Sequence, residues 1–182
     1  MIGNKNPRYG RKEETMQTKI NTKSVSIIGI LVAMEIILAR FSVHTWNLKI
    51  GFSFVPIAVA AIFYGPACGG LVAAIGDIIS AFLFPVGAYF FGFTFSAFLT
   101  GAVFGLCFRK KTSFGTVLLA VLIGQGLISQ CLNTFWISFL YGSPYWPLFF
   151  TRIYQTAAMS VVQFVCLFAI DRKLLPVLKR FE

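Results

Sequence analysis

From Ser24 onward the chain runs through long apolar stretches separated by short polar, proline- or glycine-bearing breaks. Apolar stretches of about 17–25 residues have the length that crosses the hydrocarbon core of a bilayer as a helix. Six spans are expected: Ser24–Val43, Phe52–Tyr64, Cys68–Phe84, Phe90–Phe108, Phe114–Leu140 and Leu148–Ile170. The second is short for a full crossing, which tilt or shelter by neighbouring helices would accommodate. The breaks carry turn chemistry: "YGPACGG" (Tyr64 to Gly70), Pro85-Val86-Gly87 and "YGSPYWP" (Tyr141 to Pro147).

Polar positions inside the spans recur at helical spacing. Glu35, Ala39, Ser42 and Trp46 share a face of span one. Gln125, Ser129, Asn133 and Trp136 follow i, i+4, i+8, i+11 in span five, and Arg152, Gln155, Met159 and Gln163 follow i, i+3, i+7, i+11 in span six. Amides within membrane helices either join helices or meet a ligand. Both readings stand for Gln125 and Gln163, which lie deep, whereas Asn133 and Arg152, nearer the outside, favour a ligand. A cation within a span costs about 2.5–3.5 kcal/mol even on the lenient scale and tends to mark function. Small residues form another pattern: Ala97, Gly101 and Gly105 in span four, and Gly29 and Ala33 in span one, let helices approach closely. On span one this serves internal packing or docking to another membrane subunit.

Composition agrees with a membrane protein: 57% of residues are hydrophobic, 16% aromatic and only 12% charged. Charge gives the orientation. Lys and Arg cluster in the first 23 residues, at Arg109-Lys110-Lys111 and in the tail from Arg172. With six spans all three clusters fall on one side, which the positive-inside rule makes cytoplasmic. The expected fold is therefore an all-α integral membrane protein of six transmembrane helices with both termini cytoplasmic. Residues 1–23 would form a basic, disordered cytoplasmic segment without a signal-peptide cleavage site, and residues 24–182 the membrane domain. The net charge of +10 follows from topology and does not call for nucleic acid.

Catalytic chemistry is sparse. There is one histidine, His44, no HExxH and no GxxxxGK[ST], so the chain holds neither a recognisable metal site nor an ATPase of its own. No cofactor is expected. The four cysteines lie in apolar segments and read as small buried residues. Glu35 and Asp77 are the carboxylates within spans, and no Lys or Arg lies between Lys49 and Arg109. Asp77 either pairs with a donor from a distant segment or faces a ligand or proton, and the small residues around it favour pairing.

The segment "KIGFSFVPIAVAAIFYGPACGGLVAAIGDIISAFLFPVGAYFFGFTFSAFLTGAVFGL", Lys49 to Leu106, resembles the substrate-binding S components of energy-coupling factor (ECF) vitamin transporters, most of all the folate-specific branch. The resemblance implies a non-enzymatic protein in the bacterial cell membrane that binds a vitamin from outside. It would dock on one membrane coupling subunit and two ATPase subunits, which supply the energy. Family members dock through small residues on span one, for which Gly29 and Ala33 are the nearest match. Folate, with a flat pterin and two carboxylates, would take aromatic walls from Trp46, Phe54, Tyr89, Phe93 and Trp136. Arg40, Lys49 and Arg152 are the cations available to its tail, and Asn133 and Gln155 the amides available to the pterin. Other readings are an S component for riboflavin, thiamine or biotin, and a stand-alone permease with Asp77 or Glu35 as proton carrier.

Overall fold

The computed structural model describes residues 22–45, 48–85, 87–108 and 113–178. Helices dominate: α1 (Thr22–Arg40), α2 (Phe54–Leu83), α3 (Phe91–Phe108), α4 (Phe114–Val121), α5 (Asn133–Tyr141) and α6 (Tyr145–Leu178). A π-helical stretch, Leu122–Leu132, joins α4 to α5. Two short strands that the all-α expectation did not include, β1 (Val43–Thr45) and β2 (Leu48–Ile50), pair antiparallel after α1, with His44 opposite Lys49. Among the described residues, five helical stretches are long and apolar enough to cross a membrane: Thr22–Arg40, Phe54–Leu83, Phe91–Phe108, Phe114–Tyr141 and Tyr145–Ile170.

The second of these is not one straight rod. Gly65 sits at φ 85°, ψ −178°, a conformation open essentially to glycine alone, and Pro66 follows it. A Cβ placed on Gly69 would lie 2.6 Å from the Cβ of Ala61. In a straight helix, residues eight apart are separated by about 12 Å along the axis. The chain therefore turns back at Gly65, and α2 consists of two arms, residues 54–64 and 66–83, packed side by side. These correspond to the expected spans two and three, joined by a tighter turn than the seven-residue connection suggested.

Small residues bring α3 against the second arm. A Cβ on Gly101 would overlap the backbone of Gly69, and one on Gly105 would overlap Pro66. The Ala97/Gly101/Gly105 face thus packs internally. The close-packed core gathers Leu31, Ala60, Ala61, Val72, Phe104, Phe108, Val117, Val121 and Leu167. It fills the half of the bundle that holds the C-terminal end of α3 and the N-terminal end of α4. The outside is apolar as well: Ile30, Phe82, Phe139, Tyr154 and Val161 are all exposed by more than half. Such a perimeter suits lipid, not water.

Candidate ligand-binding site

The other half of the bundle is hollow. A cavity of about 670 Å³ lies among α1, α2, α3, the π stretch, α5 and α6. A second, of about 850 Å³, continues from it toward the end of α2 and the segment leading into α3. The two share Asp77, Ser80, Phe93, Asn133 and Ile137, so they are arms of one site. Both volumes fall in the range of small-molecule sites, about 300–1,000 Å³.

Helical spacing delivers most of the expected polar groups. Glu35, Ala39 and Ser42 of α1 line the first arm, as do Arg152, Gln155, Met159 and Gln163 of α6. Phe54 and Phe93 line it too. Arg40 and Tyr89 line the second arm, where the Arg40 guanidinium stands 5.2 Å from the centre of the Phe84 ring. Trp46 and the side chain of Lys49 lie outside the described residues. Gly29 and Ala33 are exposed on the outer face of α1, and a Cβ on Gly29 would meet nothing within 4 Å.

One expected wall is misplaced. Trp136 lines neither arm. Its indole Nε1 donates to Ser96 Oγ at 3.1 Å, and its ring lies tilted at 51° to that of Phe90, 5.4 Å away, over the space left by Gly92. The cause is the π stretch. Its turns close i→i+5 rather than i→i+4, so more residues are needed to return to one face. Gln125, Ser129, Asn133 and Ile137 face the cavity at steps of four, and Ile137 takes the place that a regular α-helix would give to Trp136.

The polar side chains divide into those with protein partners and those without. Gln125 Nε2 donates to Gln163 Oε1 at 3.0 Å, tying the π stretch to α6. Gln130 adds a second tie: it donates to Phe149 O at 2.6 Å and accepts from the Thr156 hydroxyl. Thr94 Oγ1 donates to Asp77 Oδ2 at 2.7 Å, and the Tyr89 hydroxyl is 3.0 Å from the same Oγ1. Asp77 thus accepts from a donor seventeen residues along the chain while also lining both arms of the cavity. Glu35, 6% exposed, rests its carboxylate against Gly76, where a side chain would overlap it. By contrast, Ser80 Oγ and Asn133 Oδ1 are buried and have no hydrogen-bond partner among the described residues. Arg152 NH1 donates to Thr134 Oγ1 at 3.3 Å, one use among its five N–H donors.

A cation, several amides and aromatic side chains line a vestibule whose volume suits a small organic molecule. The family model for the S component of ECF-type riboflavin transporters matches residues 19–179. The chain belongs to this S-component family. It is a transporter subunit and not an enzyme. The folate transporter FolT of Clostridium novyi (strain NT) is 37% identical over 143 residues, 78% of this chain and 83% of the relative. The FolT of Leuconostoc mesenteroides is 32% identical over 149 residues, 80% of each. A solved structure of FolT bound with folic acid superposes with a TM-score of 0.78 at 32% identity, covering 84% of this S component and 95% of that chain. The S component of a bacterial ECF transporter shares the fold, with a TM-score of 0.66 at 23% identity, covering 86% and 98%.

Proposed function

We propose that this S component binds folate from outside the cell and hands it to an ECF complex for ATP-driven uptake. The observation that carries the reading is Arg152 in the cavity wall. Riboflavin, named by the family model, is uncharged and gives a half-buried guanidinium nothing to neutralise. Folate ends in two carboxylates, which suit the bidentate fork of arginine. Phe54 and Phe93 supply aromatic surface for a flat ring, and the relatives named FolT point to the same vitamin. The test is direct: purify the protein from cells, extract it, and identify the released molecule by ultraviolet absorbance and mass spectrometry. Folate is expected, and riboflavin in its place overturns the reading.

The same reading takes the chain across a bacterial cell membrane six times with both termini cytoplasmic. The turn at Gly65 supports counting the arms of α2 separately, and in the sequence the basic residues 109–111 directly follow Phe108, which is buried in the close-packed core. The hollow half then faces outward. The partners are a membrane coupling subunit, met by the Gly29/Ala33 face of α1, and two ATPase subunits.

A further inference from the structure

We infer that Thr134 is a positioning residue for Arg152: from outside the cavity it holds the guanidinium in the wall of the first arm, with the Nε/NH2 edge left to a carboxylate of the ligand. The inference deepens the folate reading and rests on it for the presence of that carboxylate.

Thr134 lines neither arm and is 0% exposed, so it acts on a ligand only through a neighbour. Its Oγ1 accepts from Arg152 NH1 at 3.3 Å. Hydroxyls elsewhere in the bundle turn back on their own helix: Ser42, Ser96, Thr100 and Ser160 each donate to the carbonyl four residues earlier. Among the described residues, the hydrogen-bond partner of the Thr134 hydroxyl is Arg152 instead. A guanidinium carries five N–H donors in a rigid planar fork. The bond to Thr134 takes one hydrogen of NH1. The side-on pair formed by Nε and NH2 is the edge that meets a carboxylate at two points.

The backbone beneath Arg152 is fixed separately. Gln130, four residues before Thr134, is 6% exposed. Its Nε2 donates to Phe149 O at 2.6 Å, and its Oε1 accepts from the Thr156 hydroxyl. Phe149, Arg152 and Thr156 follow i, i+3, i+7 and share one face of α6. Gln130 therefore ties α6 on both sides of Arg152, and Thr134 ties the side chain between. Gln130 and Thr134 each come one residue after a cavity-facing one, Ser129 and Asn133, so this second face stands beside the first and toward α6. A long side chain loses rotamer freedom when it binds, and one that is already held loses less.

The test uses the full chain in detergent, titrated by calorimetry with folic acid and with pteroic acid, which lacks the glutamate tail. Thr134→Val keeps the shape and removes the hydroxyl. It should bind folic acid about tenfold more weakly and pteroic acid less than about threefold more weakly. Thr134→Ser, which keeps the oxygen, should return to within about threefold of wild type for folic acid. In an Arg152→Ala background, Thr134→Val should change folic acid affinity by less than about twofold, because a residue that acts through another has nothing left to position. A threonine that serves packing alone gives a different pattern: equal losses for the two ligands, and the same loss with or without Arg152. Either result overturns the inference, as does wild-type affinity in Thr134→Val. Thr134→Ala is a second variant without the hydroxyl and is held to the same readings. If the wild type takes riboflavin and not folic acid, the folate reading fails separately. The same cycle titrated with riboflavin then shows whether Thr134 acts through Arg152, and additive losses overturn the inference.

Discussion

Thr94 on α3 donates a 2.7 Å hydrogen bond to the carboxylate of Asp77 on α2. The bond closes the gap between the helices at the level of the cavity, above the point where Gly101 and Gly69 touch backbone to backbone. Thr94 is 3% exposed, so Thr94→Val keeps the shape and removes a donor that water does not replace. The change should destabilise the empty protein by about 1–3 kcal/mol. Thermal unfolding in detergent reads the loss, and an unchanged melting temperature would show that the bond does not hold the helices together.

Arg152 separates the folate reading from its rivals. Arg152→Ala should weaken folic acid binding by about 1.5–3 kcal/mol, roughly ten- to hundredfold, through loss of a charge-assisted hydrogen bond. Arg152→Lys should restore part of this, because a point charge lacks the planar fork. Pteroic acid should be affected less than folic acid in both variants. Equal losses for the two ligands would place the cation at the ring and not at the tail.

Trp136 tests the displaced face of the fifth span. Trp136→Phe removes the hydrogen bond to Ser96 and should lower the melting temperature by an amount corresponding to about 1 kcal/mol. Affinity should stay within twofold of wild type, since the indole lines neither arm. Calorimetry is the suitable measurement because its signal does not depend on the indole that is removed. A tenfold loss of affinity would return Trp136 to the binding site.

Docking predicts the opposite split. Ala33 lies on the outer face of α1, level with Leu31 and Val32 of the close-packed core. Ala33→Trp should abolish vitamin uptake in cells carrying the complete transporter and leave ligand affinity of the isolated protein unchanged. Normal uptake would move the docking surface elsewhere.

The topology is checked by cysteine labelling in a background lacking Cys68, Cys107, Cys131 and Cys166. Cysteines at Lys110 and Ser143 should react from opposite sides of the membrane, with Ser143 accessible to an impermeant reagent added outside. Reaction of both from the same side would contradict the six-crossing arrangement.

Much of this was legible along the chain because it depends on local spacing. Apolar length marked the spans. A regular α-helix repeats every 3.6 residues wherever it sits, so the cavity face of α6 through Arg152, Gln155, Met159 and Gln163 followed from periodicity alone. The Ala97/Gly101/Gly105 stripe likewise announced a close helix contact. What the sequence left open was which surfaces meet. That Thr94 is the donor to Asp77, that α2 doubles back sharply at Gly65, and that Ser80 and Asn133 keep atoms unsatisfied are relations between segments distant in the chain. The π winding of 122–132 is a further case. It changes how many residues complete a turn, moving Trp136 onto α3 and Ile137 into the cavity, with no residue type that specifies it. Periodicity is a property of one helix and can be read from its residues, whereas winding and pairing are chosen by the packing of several helices at once.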